Sequence, residues 1–253
     1  MIAQGGAAVA SGVSLLAVFL YALGTAVATG LGALPFAFTR GVSDRAVARA
    51  NALAAGLMLG ASFGLIVEGS HRGGMATFIG VNLGVLFILV TERFLSGHDV
   101  EFGGVSGVGA RRMLLIIIVM TVHSFAEGVA VGVSFGGGAA LATAITVAIA
   151  VHNVPEGLAI SAVMRPRGAS VLACAAWSVF SSLPQPLMAV PAFLFVERVR
   201  PALPYGLGFA AGAMVFMVLV ELLPDAYEQS RGGSVALLAS LTLVGMLLFQ
   251  QYV

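Results

Sequence analysis

No charged residue occurs before Arg40, and the charges that follow gather in short breaks between long apolar runs. A helix needs roughly 20 apolar residues to cross the hydrocarbon core of a bilayer. The pattern predicts eight such spans, near residues 9–38, 46–68, 75–95, 112–135, 139–164, 169–196, 203–227 and 232–252. Only 9% of the 253 residues are charged, against about 25% in soluble domains. A soluble core cannot absorb so much apolar surface, so the fold class is an all-α polytopic membrane protein with one transmembrane domain over 1–253. The N-terminal run has no basic leader, which makes it the first span and not a cleaved signal.

Other functional classes fall away quickly. A net charge of +1 offers no basic patch to a nucleic acid. Cys174 is the one cysteine and lies in an apolar run, so no intramolecular disulfide forms. All 12 strong bases are arginines, which together with abundant Ala and Gly suggests a GC-rich genome.

Arginine placement orients the spans. Loops after odd-numbered spans hold Arg40, Arg45, Arg49, Arg93, Arg111, Arg112, Arg165, Arg167 and Arg231. Loops after even-numbered spans hold Arg72, Arg198 and Arg200. That asymmetry puts the odd-span loops in the cytoplasm and both termini outside. The longest loop, 96–111, is then cytoplasmic. Its His98, Asp99 and Glu101 read as solvated loop residues, since one histidine makes a poor metal trap. The "FGGG" stretch at 135–138 demands a tight turn, so the fourth and fifth spans are antiparallel neighbours. Glycines four apart (Gly56, Gly60 and Gly64; Gly80 and Gly84; Gly128 and Gly132) read as close helix-packing sites.

Ionisable groups near the bilayer centre are costly and tend to be functional. The fourth span carries "HSFAEGVAVGV" from His123 and the fifth carries "HNVPEGLAI" from His152. Each places a histidine and a glutamate at i and i+4, on one helix face. His123 lies 11 residues after Arg112, about 16 Å along the helix. His152 lies 13 residues after Ala139, about 20 Å from the opposite side. Both depths fall near the middle of a core roughly 30 Å thick. Because the helices run oppositely, Glu127 falls level with His152, and Glu156 with His123. Two imidazoles and two carboxylates then suit a divalent transition metal, whose charge cancels that of the carboxylates. The bland alternative is two His–Glu pairs that merely hold a helix hairpin together. Pro155 inside the second motif removes one amide donor and crowds the carbonyl of Val151, which predicts a kink.

These paired motifs resemble the ZIP family of divalent-metal transporters, especially its bacterial, GufA-like branch. Further pieces of the resemblance are "GLMLGASFGLIVEG", "SSLPQPL" and "VELLPDA". It implies a 3+2+3 inverted-repeat bundle, with His123, Glu127, His152 and Glu156 as metal ligands and Met58 as a thioether ligand. A soft thioether favours Zn²⁺, Fe²⁺ or Cd²⁺ over Mg²⁺ or Ca²⁺. Zn²⁺, Fe²⁺, Cd²⁺ or Mn²⁺ is the implied transported substrate, a bacterial inner membrane the implied location, and a homodimer an assembly to expect.

Many relatives hold a second adjacent ion, and the chain departs from them there. Ser124, Ala126, Asn153 and Gln185 stand where that site often has Asn, Pro, Asp and Glu, so Ser124, Asn153 and Gln185 are only weak second-site candidates. One tight site is expected. Glu221 matches a family position near the transport route. Glu68 near the outer end of its span, and Asp225 and Glu228 near the inner end of theirs, are further route candidates against a solvated alternative. Glu92 beside Arg93 reads as an interfacial pair. The activity expected is inward transport of Zn²⁺ or a similar ion, and not enzymatic. A metal-selective channel uses the same ligands, and an intramembrane hydrolase would need an open ligand position with a base beside it. A metal sensor would need an output domain.

Overall fold

The computed structural model describes residues 13–38, 43–99, 101–102, 105–230 and 232–252. Arg40 and Arg231 of the orientation argument, and residues 9–12 of the first expected span, lie outside the described residues.

Helix α1 (Leu15–Leu31) begins where the hydroxyl of Ser14 accepts the N–H of Ala17 at 3.1 Å. Helix α2 (Asp44–Ser96) starts the same way, with Ser43 capping Ala46 at 3.2 Å. Such side-chain caps satisfy amide donors that a helix start leaves unpaired. α2 runs for 53 residues and joins the expected spans 46–68 and 75–95 across a break at Gly73, where φ is 172° and ψ 91°. A β-carbon on Gly69 would strike the side chain of Thr77. Eight residues of straight helix rise about 12 Å, so the chain doubles back at Gly73.

The loop between α2 and the next helix is shorter than the expected 96–111. Strands β1 (Glu101–Phe102) and β2 (Val105–Ser106) form a minimal antiparallel pair. Helix α3 (Val108–Ser134) begins four residues before the expected position 112. His98 is exposed, and its ring binds the Phe94 carbonyl at 2.7 Å. After α3, one tight turn over Phe135–Gly137 leads into helix α4 (Ala139–Met164). Gly138 sits at φ 102°, a backbone region that side-chain-bearing residues rarely adopt. α4 is one continuous helix that includes Pro155.

The expected span 169–196 is split into α5 (Val171–Ser182) and α6 (Pro184–Leu194). Pro184 and Pro186 have no N–H, so the hydrogen-bond ladder is interrupted there. Helix α7 (Leu203–Met217) passes through a π-helical turn, Val218–Leu222, into α8 (Leu223–Gln229). Pro224 cannot bond the carbonyl four residues back, which accounts for a widened turn at that place. Glu221 sits in that turn. Helix α9 (Gly232–Gln250) completes the chain.

Among the described residues, seven helical segments are long and apolar enough to cross a membrane. α2 counts once among them. Large apolar side chains such as Leu16, Phe78 and Leu187 point outward, as lipid-facing surface does.

The helices associate in two groups. α1 packs on α4, α5 and α6, and α3 packs on α6, α4 and α5. α2 packs on α7, α8 and α9. Contacts of α2 with α4 and of α3 with α7 join the groups. Glycines set the closest approaches. Gly56, Gly60 and Gly64 meet Ala239, Leu243 and Gln250 in rising order, so the first half of α2 runs parallel to α9. Gly80 and Gly84 meet Tyr205 and Phe209 in the same sense, so its second half runs parallel to α7.

Candidate metal centre

The centre forms where α3 and α4 face each other. His123 and Glu127 project from one turn of α3, and His152 and Glu156 from one turn of α4. All four are buried, with at most 6% of their surface exposed. One ligand atom from each lies within 4.8 Å of all the others. Each glutamate is followed by a glycine that admits another helix. A β-carbon on Gly128 would strike the backbone of Gln185 on α6, and one on Gly157 would strike the carbonyl of Thr29 on α1. The repeated "EG" in the sequence thus marks two helix crossings that close the centre from either side.

The distances describe a compact polyhedron. His123 Nε2 lies 3.1 Å from Glu156 Oε1 and 3.4 Å from Glu127 Oε1. His152 Nε2 lies 3.2 Å from Glu156 Oε1 and 3.9 Å from Glu127 Oε1. The cross-helix levels expected from antiparallel spacing are those observed. The imidazole rings are stacked, with centroids 5.7 Å apart. These approaches are not hydrogen bonds. Both Nε2 atoms and both oxygens of Glu156 are buried without a hydrogen-bonding partner. Zn²⁺ with bonds of about 2.0–2.1 Å sets tetrahedral ligands about 3.3 Å apart. Three of the four His–Glu distances, 3.1–3.4 Å, lie near that value and the fourth is 3.9 Å, so the donor set is close to that needed around a tetrahedral divalent ion. Two buried carboxylates also match a 2+ charge, whereas without a cation they would repel across a medium that screens poorly.

Behind Glu127 stands an amide network. Gln185 Nε2 donates to Glu127 Oε2 at 2.5 Å. Gln185 Oε1 accepts from Thr25 Oγ1 at 2.5 Å and from Asn153 Nδ2 at 3.1 Å. Asn153 Nδ2 also donates to the Thr25 carbonyl at 2.8 Å. Thr25, Asn153 and Gln185 are fully buried. Ser124 is buried too, and its hydroxyl has no partner. Thr25 was not visible as a site residue in the sequence. One threonine in an apolar span carries no signal of what it faces.

Met58 is buried on α2, in the apolar cluster that includes Met120 and Ala159. Met120 precedes His123 by one turn and Ala159 follows Glu156 by one turn, on the faces that build the centre. Ser62 donates to the Met58 carbonyl at 2.8 Å and lies 3.3 Å from the sulfur of Met214.

The route acids fall elsewhere. Glu68 is exposed and paired with Arg72 one turn on. Glu221 and Asp225 lie together at the end of the molecule that bears loop 96–111. Arg112 reaches Glu221 at 3.2 Å and Asp225 at 2.9 Å. Asp225 also accepts from Asn51 at 2.8 Å and from Gln229 at 2.9 Å. Arg112 belongs to α3 and its acids to the other helix group. Beside them opens a cavity of about 240 Å³, lined in part by Glu92, Arg111, Arg112 and Glu221. No ion pair joins Glu92 to Arg93 among the described residues; Glu92 faces this cavity instead.

The range that matches a known family includes both His–Glu motifs. A family model described as ZIP Zinc transporter matches residues 104–249. A protein of Arabidopsis thaliana is 44% identical over 238 residues, 92% of this chain but only 38% of its own length. The zinc transporter GufA of Myxococcus xanthus is 34% identical over 224 residues, covering 81% of this chain and 85% of GufA. The zinc transporter ZIPB of Bordetella bronchiseptica is 33% identical over 221 residues, covering 79% and 70%.

Proposed function

This chain belongs to the ZIP family of zinc transporters, and on that premise we propose that it carries Zn²⁺ or a similar divalent transition metal across a membrane into the cytoplasm. The observation that carries the reading is the centre itself: two imidazoles and two carboxylates, all buried and within 4.8 Å of one another, with both Nε2 atoms and both Glu156 oxygens lacking a hydrogen-bond partner. His123, Glu127, His152 and Glu156 hold one ion per chain. Met58 contributes a thioether from the other helix group, supported by its burial in the cluster shared with Met120 and Ala159.

Eight crossings are proposed, with α2 counted as two. The reversal at Gly73 supports this, as do the parallel pairings of its halves with α9 and α7. With eight crossings both termini lie outside, and the arginine-rich ends, including Arg111 and Arg112, lie inside. The matched crossings at Gly128 and Gly157 support the inverted-repeat relation of the two ends of the chain. The ion reaches the cytoplasm on the side of Glu221 and Asp225. The moving unit is the group of α1 and α3 to α6, which shifts against the group of α2 and α7 to α9, an arrangement suited to alternating access. A homodimer in a bacterial inner membrane is the proposed setting.

The test is radioactive Zn²⁺ uptake into proteoliposomes, comparing wild type with Glu156→Ala. Uptake by the variant at the wild-type rate sinks the proposal. A channel with the same ligands is separated by counter-flow: preloaded cold Zn²⁺ accelerates tracer entry through a carrier and not through a pore. The relatives bear the names of transporters and not of enzymes, which leaves the hydrolase reading without support.

A further inference from the structure

We propose that Gln185 is a positioning residue that aims Glu127 at the transported ion and shuts a second cation out of the face behind it. The inference rests on the His/Glu centre being the transport site and deepens that reading.

The orientation of the Gln185 amide follows from its neighbours. With Oε1 toward Thr25 and Asn153, it accepts from the Asn153 amide and takes a share of the Thr25 hydroxyl, which also approaches the Ala22 carbonyl at 2.6 Å. With the amide turned over, a donor would face the Asn153 donor and an oxygen would face Glu127 Oε2. Two of the three contacts would become repulsive. The Nε2 group therefore points at Glu127.

Its effect on Glu127 is specific. An amide N–H₂ has hydrogens to give and no lone pair for a cation. It occupies Oε2, which leaves Oε1 as the oxygen that faces both imidazoles. Bonds to ligating carboxylates orient them, and their loss typically lowers metal affinity by about 10-fold to 100-fold. Here the orienting bond comes from α6, and its own anchors come from α1 and α4. Three helices thus converge on one carboxylate oxygen, through side chains with no exposed surface.

The test is Co²⁺ and Zn²⁺ binding to the purified full chain in detergent. Cobalt reports geometry, because tetrahedral Co²⁺ absorbs visible light far more strongly than octahedral Co²⁺. Gln185→Leu removes the donor and is expected to weaken Co²⁺ binding by about 10-fold or more and reduce the tetrahedral band. Gln185→Glu keeps the acceptor for Asn153 but sets a carboxylate oxygen against Glu127. Like charges at that distance draw in a counter-charge, so the Zn²⁺ count is expected to rise from one to two per chain. Thr25→Val keeps shape and loses the hydroxyl; it should shift the cobalt spectrum in the same direction as Gln185→Leu, and Thr25→Ser should restore it. A pure packing role for Thr25 predicts the reverse order. If Gln185→Leu does not fold, the isosteric Gln185→Glu and the Thr25 pair decide. Wild-type spectra, affinity and ion count across these variants overturn the inference. If Glu156→Ala also leaves Co²⁺ binding unchanged, it is the centre itself that has failed.

Discussion

His123 Nε2 lies closer to Glu156 Oε1, on the neighbouring helix, than to Glu127 Oε1, on its own: 3.1 Å against 3.4 Å. The centre is a relation between two helices and not two separate helical pairs. The i, i+4 spacing puts each pair on one face, but only the α3–α4 turn brings the faces into register.

Binding should therefore depend on both helices together. Zn²⁺ at 100 times its Kd stabilises a native state by about 2.7 kcal/mol. The wild-type melting temperature in detergent should rise accordingly. His123→Ala and Glu156→Gln, on different helices, should each abolish most of the rise. A rise that survives either substitution would mean that the ion binds elsewhere.

The number of ions is a separate prediction. Gln185 occupies the outer oxygen of Glu127 with an N–H donor, so saturation should occur at one Zn²⁺ per chain. Titration calorimetry or metal analysis after gel filtration gives the count. Two tightly held ions in the wild type would contradict it.

Glycines at helix crossings should tolerate nothing larger. At Gly157 an added β-carbon meets the Thr29 carbonyl, which is backbone and cannot swing away. Gly157→Val should destabilise the protein by several kcal/mol or prevent its folding. At Gly24, on α1 and with nothing within 4 Å, Gly24→Ala should be neutral or slightly stabilising. Thermal melts of the two variants side by side check the contrast.

The cross-group ion pair should outweigh the shorter surface one. Arg72 and Glu68 stand 2.5 Å apart but expose 40% and 47% of their side chains, whereas Arg112 and Asp225 expose 29% and 12% at 2.9 Å. Exposed pairs contribute about 0–1 kcal/mol. Coupling within a hydrogen-bonded network reaches about 0.5–3 kcal/mol. A double-mutant cycle on Arg112→Gln and Asp225→Asn should give the larger coupling, and one on Arg72→Gln and Glu68→Gln the smaller. Equal couplings would show that burial and the Asn51 contact add nothing.

Much of this protein was legible from local pattern. Apolar length marked the membrane class, because a segment in lipid must satisfy its own backbone and therefore reads as one long run. The His and Glu positions were legible because an i, i+4 pair is a property of one helix, independent of its neighbours. Antiparallel succession across 135–138 then predicted which histidine faces which glutamate. The local exceptions were proline effects: Pro184 and Pro224 altered the course of their helices.

What the tertiary structure alone decided is where side chains far apart in sequence meet. Thr25 and Gln185 are 160 residues apart and share a hydrogen bond, and Arg112 finds Asp225 across 113 residues. A single threonine in an apolar span, or an arginine at a span end, looks the same in sequence whatever it faces. Its partner is set by how helices cross, and those crossings depend on the summed fit of many small residues such as Gly128 and Gly157. The reversal at Gly73 belongs to the same class, since two adjoining helical patterns do not record the angle between them.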